Sequence, residues 1–326
     1  MRVFRFRCEF SMPAILGGRG PASICISPFA INSAFEKAAM AIDPEILSLN
    51  YDRGRFSGTN LVFSAGFLMF GRRMFRDEID KWYFENVYRE VRPRGGVLLR
   101  DDAIFPYPPM AHLIRRWLLQ SLLGFSKVRR TWDRSRMIRM GTERLGRTTK
   151  FMRSIIAYPP GLRFFFDVCE VWEEINEISS LEEVVRFAGS TYGIGKKCGD
   201  GFGRFRVLSS EEVRLNFESL EEGRVVFWSP WIVGELGSMD LVGKFRVHVR
   251  NRASRLGLSL SITGVRVKAL FPTMVIHVSK GKLIQEPGLA AGTSLEVECN
   301  SLQDLAKVGL AHIGGEKKCA GEFLVY

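Results

Sequence analysis

Two stretches of this chain are built alike, and that repetition limits what it can fold into. Thr191–Val207 reads TYGIGKKCGDGFGRFRV, with glycines at 193, 195, 199, 201 and 203 and the cations Lys196, Lys197, Arg204 and Arg206 among them. His312–Tyr326 reads HIGGEKKCAGEFLVY, where Ile313-Gly314, Lys317-Lys318-Cys319 and Gly321-Glu322-Phe323 repeat the first in fainter form. Glycine reaches backbone angles closed to other residues and lets the main chain approach a ligand closely. Cations packed around it favour something anionic. A chain that makes such a loop twice needs two similar frames to hold it.

The flanks supply those frames. Before the first loop, Leu162–Cys169 (LRFFFDVC) is an aromatic-rich strand candidate, and Ser180-Leu181-Glu182-Glu183 has the form of a capping box opening a helix to about Gly189. Before the second, Ser294–Cys299 (SLEVEC) alternates as a strand, and Ser301-Leu302-Gln303-Asp304 opens a helix ending near Gly309. The openings match as well: Phe10-Ser11-Met12-Pro13 against Phe227-Trp228-Ser229-Pro230. A repeat this long is a duplicated domain and not a solenoid unit.

The sequence therefore predicts an α+β chain of two tandem ferredoxin-like (RRM-like) domains, residues 1–208 and 209–326. The first carries a large basic insertion at about 50–158. The second reads as strand-rich and degenerate, because Lys244–Ile284 looks mainly like strands, with His248 and His277 alternating with valines, and no first helix stands out.

At 326 residues, 46% hydrophobic and 12% aromatic, the chain has ample material for buried cores. Its 47 Lys+Arg against 35 Asp+Glu give a net charge of +12, which favours nucleic acid or another anionic surface. No apolar run approaches a membrane span, and RVFRFRCEF at the start alternates like a strand rather than a signal peptide, so a cytoplasmic location is expected. The cysteines, at 8, 25, 169, 198, 299 and 319, have no CxxC spacing. That argues against a zinc site or a disulfide framework, and no metal or cofactor is expected.

Familiar nucleotide-binding motifs do not fit the glycine loop. A P-loop needs Gly, four residues, then Gly-Lys and a hydroxyl; Gly189 is one place too far from Gly195-Lys196, and Lys197 replaces the hydroxyl. The kinase loop fails because Arg206 takes the third glycine position, and the dinucleotide fold fails because this loop precedes a strand. Nucleic acid suits it better, since Gly201-Phe202-Gly203-Arg204-Phe205 partly matches the RNP1 core of RNA-binding sheets. Phe202 or Phe205 would stack on a base or pack. The candidate RNA-binding residues are Gly193, Gly195, Lys196, Lys197, Gly199, Gly201, Phe202, Gly203, Arg204 and Arg206. Arg144, Arg147, Lys150 and Arg153 join them from a tract, Lys127–Arg153, that holds almost no acids. Glu173 and Glu177 could share a helix face, although a solvated face explains them more simply. Catalytic histidines are scarce: His112 lies on an apolar helix pattern at Pro108–Leu123, and only His312 adjoins a glycine loop.

These elements together resemble the RAMP superfamily of CRISPR-associated proteins. The matching parts are the opening strand with its proline (Phe4–Leu16), the FFFDVC strand, the capped helix with GIGKKCGDGFGRF, and their C-terminal echo. The resemblance implies a non-catalytic subunit of a CRISPR ribonucleoprotein that holds the 5′ handle of the guide RNA and caps the backbone filament, in the manner of type IV or type III complexes. It implies guide RNA, neighbouring effector subunits and target nucleic acid as partners. The alternative within the superfamily is a metal-independent endoribonuclease that processes precursor guide RNA. Residues 31–51 offer such chemistry only Lys37 and Tyr51, which leaves His312 as the other candidate.

Overall fold

The computed structural model describes residues 1–15, 26–48, 51–52, 55–56, 60–68, 137–142, 151–156, 160–161, 163–172, 178–196, 198–213, 220, 223–234, 240–270, 272–279, 282–290, 293–314 and 320–325. The first half begins β1 (Arg2–Phe10), α1 (Pro28–Ile42), α2 (Glu45–Ser48), β2 (Tyr51–Asp52), β3 (Arg55–Phe56), β4 (Leu61–Phe63) and β5 (Phe67–Leu68). It continues β6 (Met137–Thr142), β7 (Phe151–Ile156), β8 (Arg163–Glu170), α3 (Ile178–Phe187) and β9 (Phe205–Val213). The second half runs β10 (Arg224–Phe227), β11 (Trp231–Ile232), α4 (Leu241–Arg255), β12 (Ile262–Ala269), β13 (Pro272–Ser279), β14 (Lys282–Leu289), β15 (Ser294–Cys299), α5 (Leu302–Leu310) and β16 (Phe323–Val325).

Alternation decides the first sheet. In RVFRFRCEF the even positions Phe4, Phe6, Cys8 and Phe10 all point into one core, as period-2 geometry requires. Phe164, Phe166 and Val168 of β8 join them, and each such ring buried from water contributes about 2 kcal/mol or more. α1 starts with Pro28 in its first turn and buries Ile31, Ala34, Phe35, Ala38 and Ala39, the 3–4 spacing of one helical stripe. β1 pairs antiparallel with both β8 and β9, and the sheet order is β4–β8–β1–β9 with β5 also on β8.

The second half repeats the order. Its main sheet runs β12–β15–β10–β16, so in both sheets the first strand lies between the third and fourth. Phe227, Leu295, Val297 and Phe323 form its core with Phe245 and Val249 of α4 and Leu305 and Val308 of α5. A further sheet, β11–β14–β13, is added beside it. The architecture is a mixed helix-and-strand fold with several antiparallel sheets.

Three expectations need correction or adjustment. The helix not found in the second half is present: α4 spans fifteen residues and carries His248, which accepts a hydrogen bond from Trp231 Nε1 at 3.0 Å on Nδ1. Ser180 lies inside α3 and does not cap it, because the helix starts at Ile178. β9 continues past residue 208 to Val213, still paired with β1 at Val3, so the expected division falls within a strand. The helix expected at 108–123 and the glutamates at 173 and 177 lie outside the described residues.

Among the described residues no helix is long and apolar enough to cross a membrane. The two halves meet through an apolar cluster in which Val3, Val62, Phe165 and Cys169 pack on Val226, Trp228, Leu310 and Leu324. Burial pushes the Cys8 thiol well up and the Cys169 thiol up to about 12, so both stay protonated packing groups.

Candidate nucleic-acid interface

The first glycine loop grows directly from α3. That helix buries Leu181, Val184 and Val185, then widens into a π turn over Ala188–Tyr192, closed by the Gly193 N–H donating to Ala188 O at 2.8 Å. Such local widenings often mark functional segments. Gly189 must be small, because a Cβ there would strike the backbone carbonyl and ring of Phe205. The chain then crosses itself: Ile194 N donates to Gly203 O at 2.9 Å, and Gly203 N to Pro13 O at 2.8 Å. Gly203 adopts φ 73, and a Cβ on it would overlap the Ile194 carbonyl, so no other residue fits. Lys196 N donates to Ile15 O at 2.9 Å, and Ser11 N to Arg204 O at 2.9 Å, which ties the loop to the segment after β1.

The C-terminal echo has the same hydrogen bonds. Ile313 N donates to Gly321 O at 3.2 Å and Gly321 N to Pro230 O at 2.9 Å, while Trp228 N donates to Glu322 O at 2.8 Å. Gly309 meets Phe323 as Gly189 meets Phe205. The pairs Pro13/Pro230, Ile194/Ile313, Gly203/Gly321 and Arg204/Glu322 are therefore equivalent by hydrogen bonding. Gly193 (φ 68) corresponds to His312 (φ 59), which is the non-glycine residue held at positive φ among those described. Such a backbone costs about 1–2 kcal/mol and persists only when its surroundings enforce it.

The two copies have diverged in charge. In the first, Lys196 is exposed and Arg204 half-buried, its Nη1 donating to Ser190 O at 2.9 Å. In the second, Glu322 is turned inward: its Oε2 accepts from Ala65 N of the first half at 3.3 Å and lies 4.0 Å from His312 Nε2. Burial, and then the Asp167 carboxylate, push the Glu322 carboxyl up to about 8, with the Ala65 N–H acting the other way. His312 is 5% exposed. In the described part of the second copy, both groups serve the joint between the halves rather than a surface; its tip, 315–319, lies outside the described residues.

The structure brings Gly193, Gly195, Lys196, Gly199, Gly201, Phe202, Gly203, Arg204 and Arg206 into one loop and the strand that leaves it. Gly199 and Asp200 are exposed at a 3₁₀ turn, Cys198–Asp200, so one acid sits among the cations. Phe202 is half-buried, whereas Phe205 is 3% exposed and edge-on to Phe164 at 5.5 Å, a packing residue and not a stacking platform. Arg206 is paired, its Nη2 donating to Glu9 Oε1 at 2.6 Å. Lys197, Arg144, Arg147 and Lys150 lie outside the described residues, and Arg153 stands opposite Met140 on the separate β6–β7 hairpin.

Two further cations lie near the site: Lys37, which the sequence offered only as a candidate for catalysis, and Arg163, which it did not single out. Burial raises the Cys198 thiol pKa, and the charges of Lys37 on α1 and Arg204 oppose it, which sets Lys37 close to the loop. Arg163 meets Glu9 from β8, Nε to Oε2 at 3.2 Å. Glu9 and Arg163 are far apart in the chain and are joined only by strand register.

No protein-family model matches the sequence, and a search of curated proteins gives no match. Solved structures with a similar chain course include a CRISPR associated protein Cas6, at TM-score 0.47 and 8% identity over 100% of this chain and 99% of that one. A RAMP protein binding different RNA substrates matches at TM-score 0.43 and 12% identity, over 100% of both chains. The Csm3-Csm4 subcomplex of a type III-A CRISPR-Cas interference complex matches at TM-score 0.36 and 10% identity, over 92% of this chain and 93% of that one.

Proposed function

We propose that this chain is a RAMP-type, guide-RNA-binding subunit of a CRISPR ribonucleoprotein, acting in the cytoplasm and without catalysis of its own. On this reading each half is a ferredoxin-like domain, the division falling after β9 and the basic insertion interrupting the first. The first glycine loop holds the RNA backbone near its 5′ handle, and neighbouring subunits, the filament subunit among them, contact the rest.

The observation that carries the reading is the loop itself. Its crossing is fixed by hydrogen bonds to Pro13 and Ile15, so Lys196 and Arg204 are presented from a preorganised backbone beside the half-buried ring of Phe202. A rigid cationic turn loses little entropy when a phosphodiester settles on it, and phosphate contacts dominate affinity for nucleic acid. The buried state of His312 fits a binding protein better than one using that imidazole to move protons.

The test is charge reversal. Lys196→Glu with Lys197→Glu is expected to lower RNA affinity by two orders of magnitude or more at about 0.1 M salt, because each reversal removes one phosphate contact and adds one repulsion. RNA co-purifying with the full chain should disappear in the same variant. Unchanged co-purification would overturn the role of the loop. Incubation of the parent chain with its repeat RNA checks the alternative: sharp metal-independent cleavage, lost in His312→Ala, would make it an endoribonuclease.

A further inference from the structure

Three side chains form one row across the first sheet, at the end where the glycine loop leaves it. Glu9 on β1 is directly opposite Arg163 on β8 and directly opposite Arg206 on β9. Its neighbours Cys8 and Phe10 point into the core, so the row projects from the face away from the helices. Arg206 Nη2 donates to Glu9 Oε1 at 2.6 Å, and Arg163 Nε donates to Oε2 at 3.2 Å. The arginine side chains are nevertheless 62% and 66% exposed, whereas that of Glu9 is 13% exposed. One carboxylate therefore orients two guanidiniums and leaves the trio with one surplus positive charge. A guanidinium carries five donors, so among the described residues most of those on both arginines still face outward.

The remainder of that sheet face is closed in steps. Arg7 is engaged by Ser209 and Glu211, and Arg5 is buried on Asp167. Val3 and Cys169 lie under the second half. Among the described residues the open end is the Arg163–Glu9–Arg206 row, with the exposed Leu208 next to it on β9, and it adjoins the loop because Ser11 and Met12, just past β1, donate to Arg204 O. Strands stand about 4.8 Å apart, so the two arginines rise from points about 10 Å apart, each able to take a phosphate.

We propose that Arg163 and Arg206, positioned by Glu9, form a phosphate-binding station that carries single-stranded RNA on from the glycine loop across β9, β1 and β8. This rests on the reading of the loop as an RNA grip and extends it to a direction for the strand. It also gives Glu9, an acid in a cationic site, a purpose: it splays and fixes two forks that would otherwise repel each other.

The experiment is a salt titration of affinity for a labelled mixed-sequence single-stranded RNA, using the full chain. Arg163→Ala should flatten the plot of log affinity against log salt by about 0.7, a loss of about 5-fold at 0.1 M salt that vanishes towards 1 M. Arg163→Lys keeps the charge and should keep the slope. Exposed pairs contribute at most about 1 kcal/mol to stability, so both variants should fold. An unchanged slope in Arg163→Ala, while the Lys196/Lys197 reversal still abolishes binding, overturns the station and leaves the loop standing. Failure of the parent chain to bind any RNA overturns both.

Discussion

Arg5→Met should destabilise the chain by about 3–5 kcal/mol, the usual consequence of stranding one member of a buried ion pair. Arg5 and Asp167 are joined by two hydrogen bonds, Nε to Oδ1 at 2.8 Å and Nη2 to Oδ2 at 2.9 Å. Their side chains are only 4% and 6% exposed. The guanidinium also lies over the Phe165 ring at 4.5 Å, where a desolvated cation gains further attraction. Without Arg5, the Asp167 carboxylate would lose its directly bonded counter-charge while remaining near the Glu322 carboxyl. Chemical denaturation measures the effect. The double variant Arg5→Met, Asp167→Leu should recover most of the loss, because a well-packed apolar pair replaces a buried ion pair at little or no cost. A loss below about 1 kcal/mol in the single variant would mean that the pair is solvated and is not a buried link between β1 and β8.

The second large effect concerns pH. Burial and the Asp167 carboxylate raise the Glu322 carboxyl to about 8, so the folded chain holds its proton where the unfolded chain, near 4.5, has released it. The folded state therefore binds more protons between those values. Stability from this group is complete below pH of about 4.5 and is lost as pH rises through about 8, by up to about 5 kcal/mol at 1.36 kcal/mol per unit. Glu322→Gln keeps the shape and a carbonyl for the Ala65 N–H but removes the titration. Urea midpoints from pH 5 to 9 should be flatter for the variant, which becomes the more stable chain at the alkaline end. Parallel profiles would show that Glu322 reaches solvent in the folded state.

What the sequence disclosed, and what it hid, follows from the range of the interactions. SLEVEC alternates and is a strand; Ser301 stands three residues before Asp304 and caps α5, its Oγ accepting from Asp304 N at 3.2 Å. The duplicated glycine loops were legible because their constraint is local, a backbone crossing that accepts glycine alone at Gly203. α4 was hidden by composition: FRVHVR alternates valines with charges and imitates a strand. Its buried residues Phe245, Val249, Arg252 and Ala253 nonetheless keep helical spacing, and Asp240 caps it by accepting from Gly243 N at 2.6 Å. The aspartate before that run was the signal available. Phe205 was open to two readings because exposure depends on what other strands place over it, and here Phe164 of β8 meets it edge-on. Glu9 with Arg163, and Glu322 with Ala65, were beyond sequence reasoning altogether, since sheet register and the docking of two halves bring them together.

On the proposed reading, the same docking accounts for how two loops of one design come to differ. An arginine and a glutamate occupy the equivalent position, and the buried Glu322 accepts from Ala65 N of the first half, so the described part of the second loop lies at the joint between the halves. The first keeps Lys196 and Arg206 exposed and Arg204 half-buried.

The central claim is that RNA lies on the first glycine loop. Ultraviolet cross-linking of RNA bound to the full chain, followed by mapping of the modified peptides, tests it most directly. The account predicts adducts within Thr191–Val207, at Phe202 or Lys196 foremost, with weaker adducts at Arg163. Adducts confined to the second half, with none between residues 191 and 207, would contradict it.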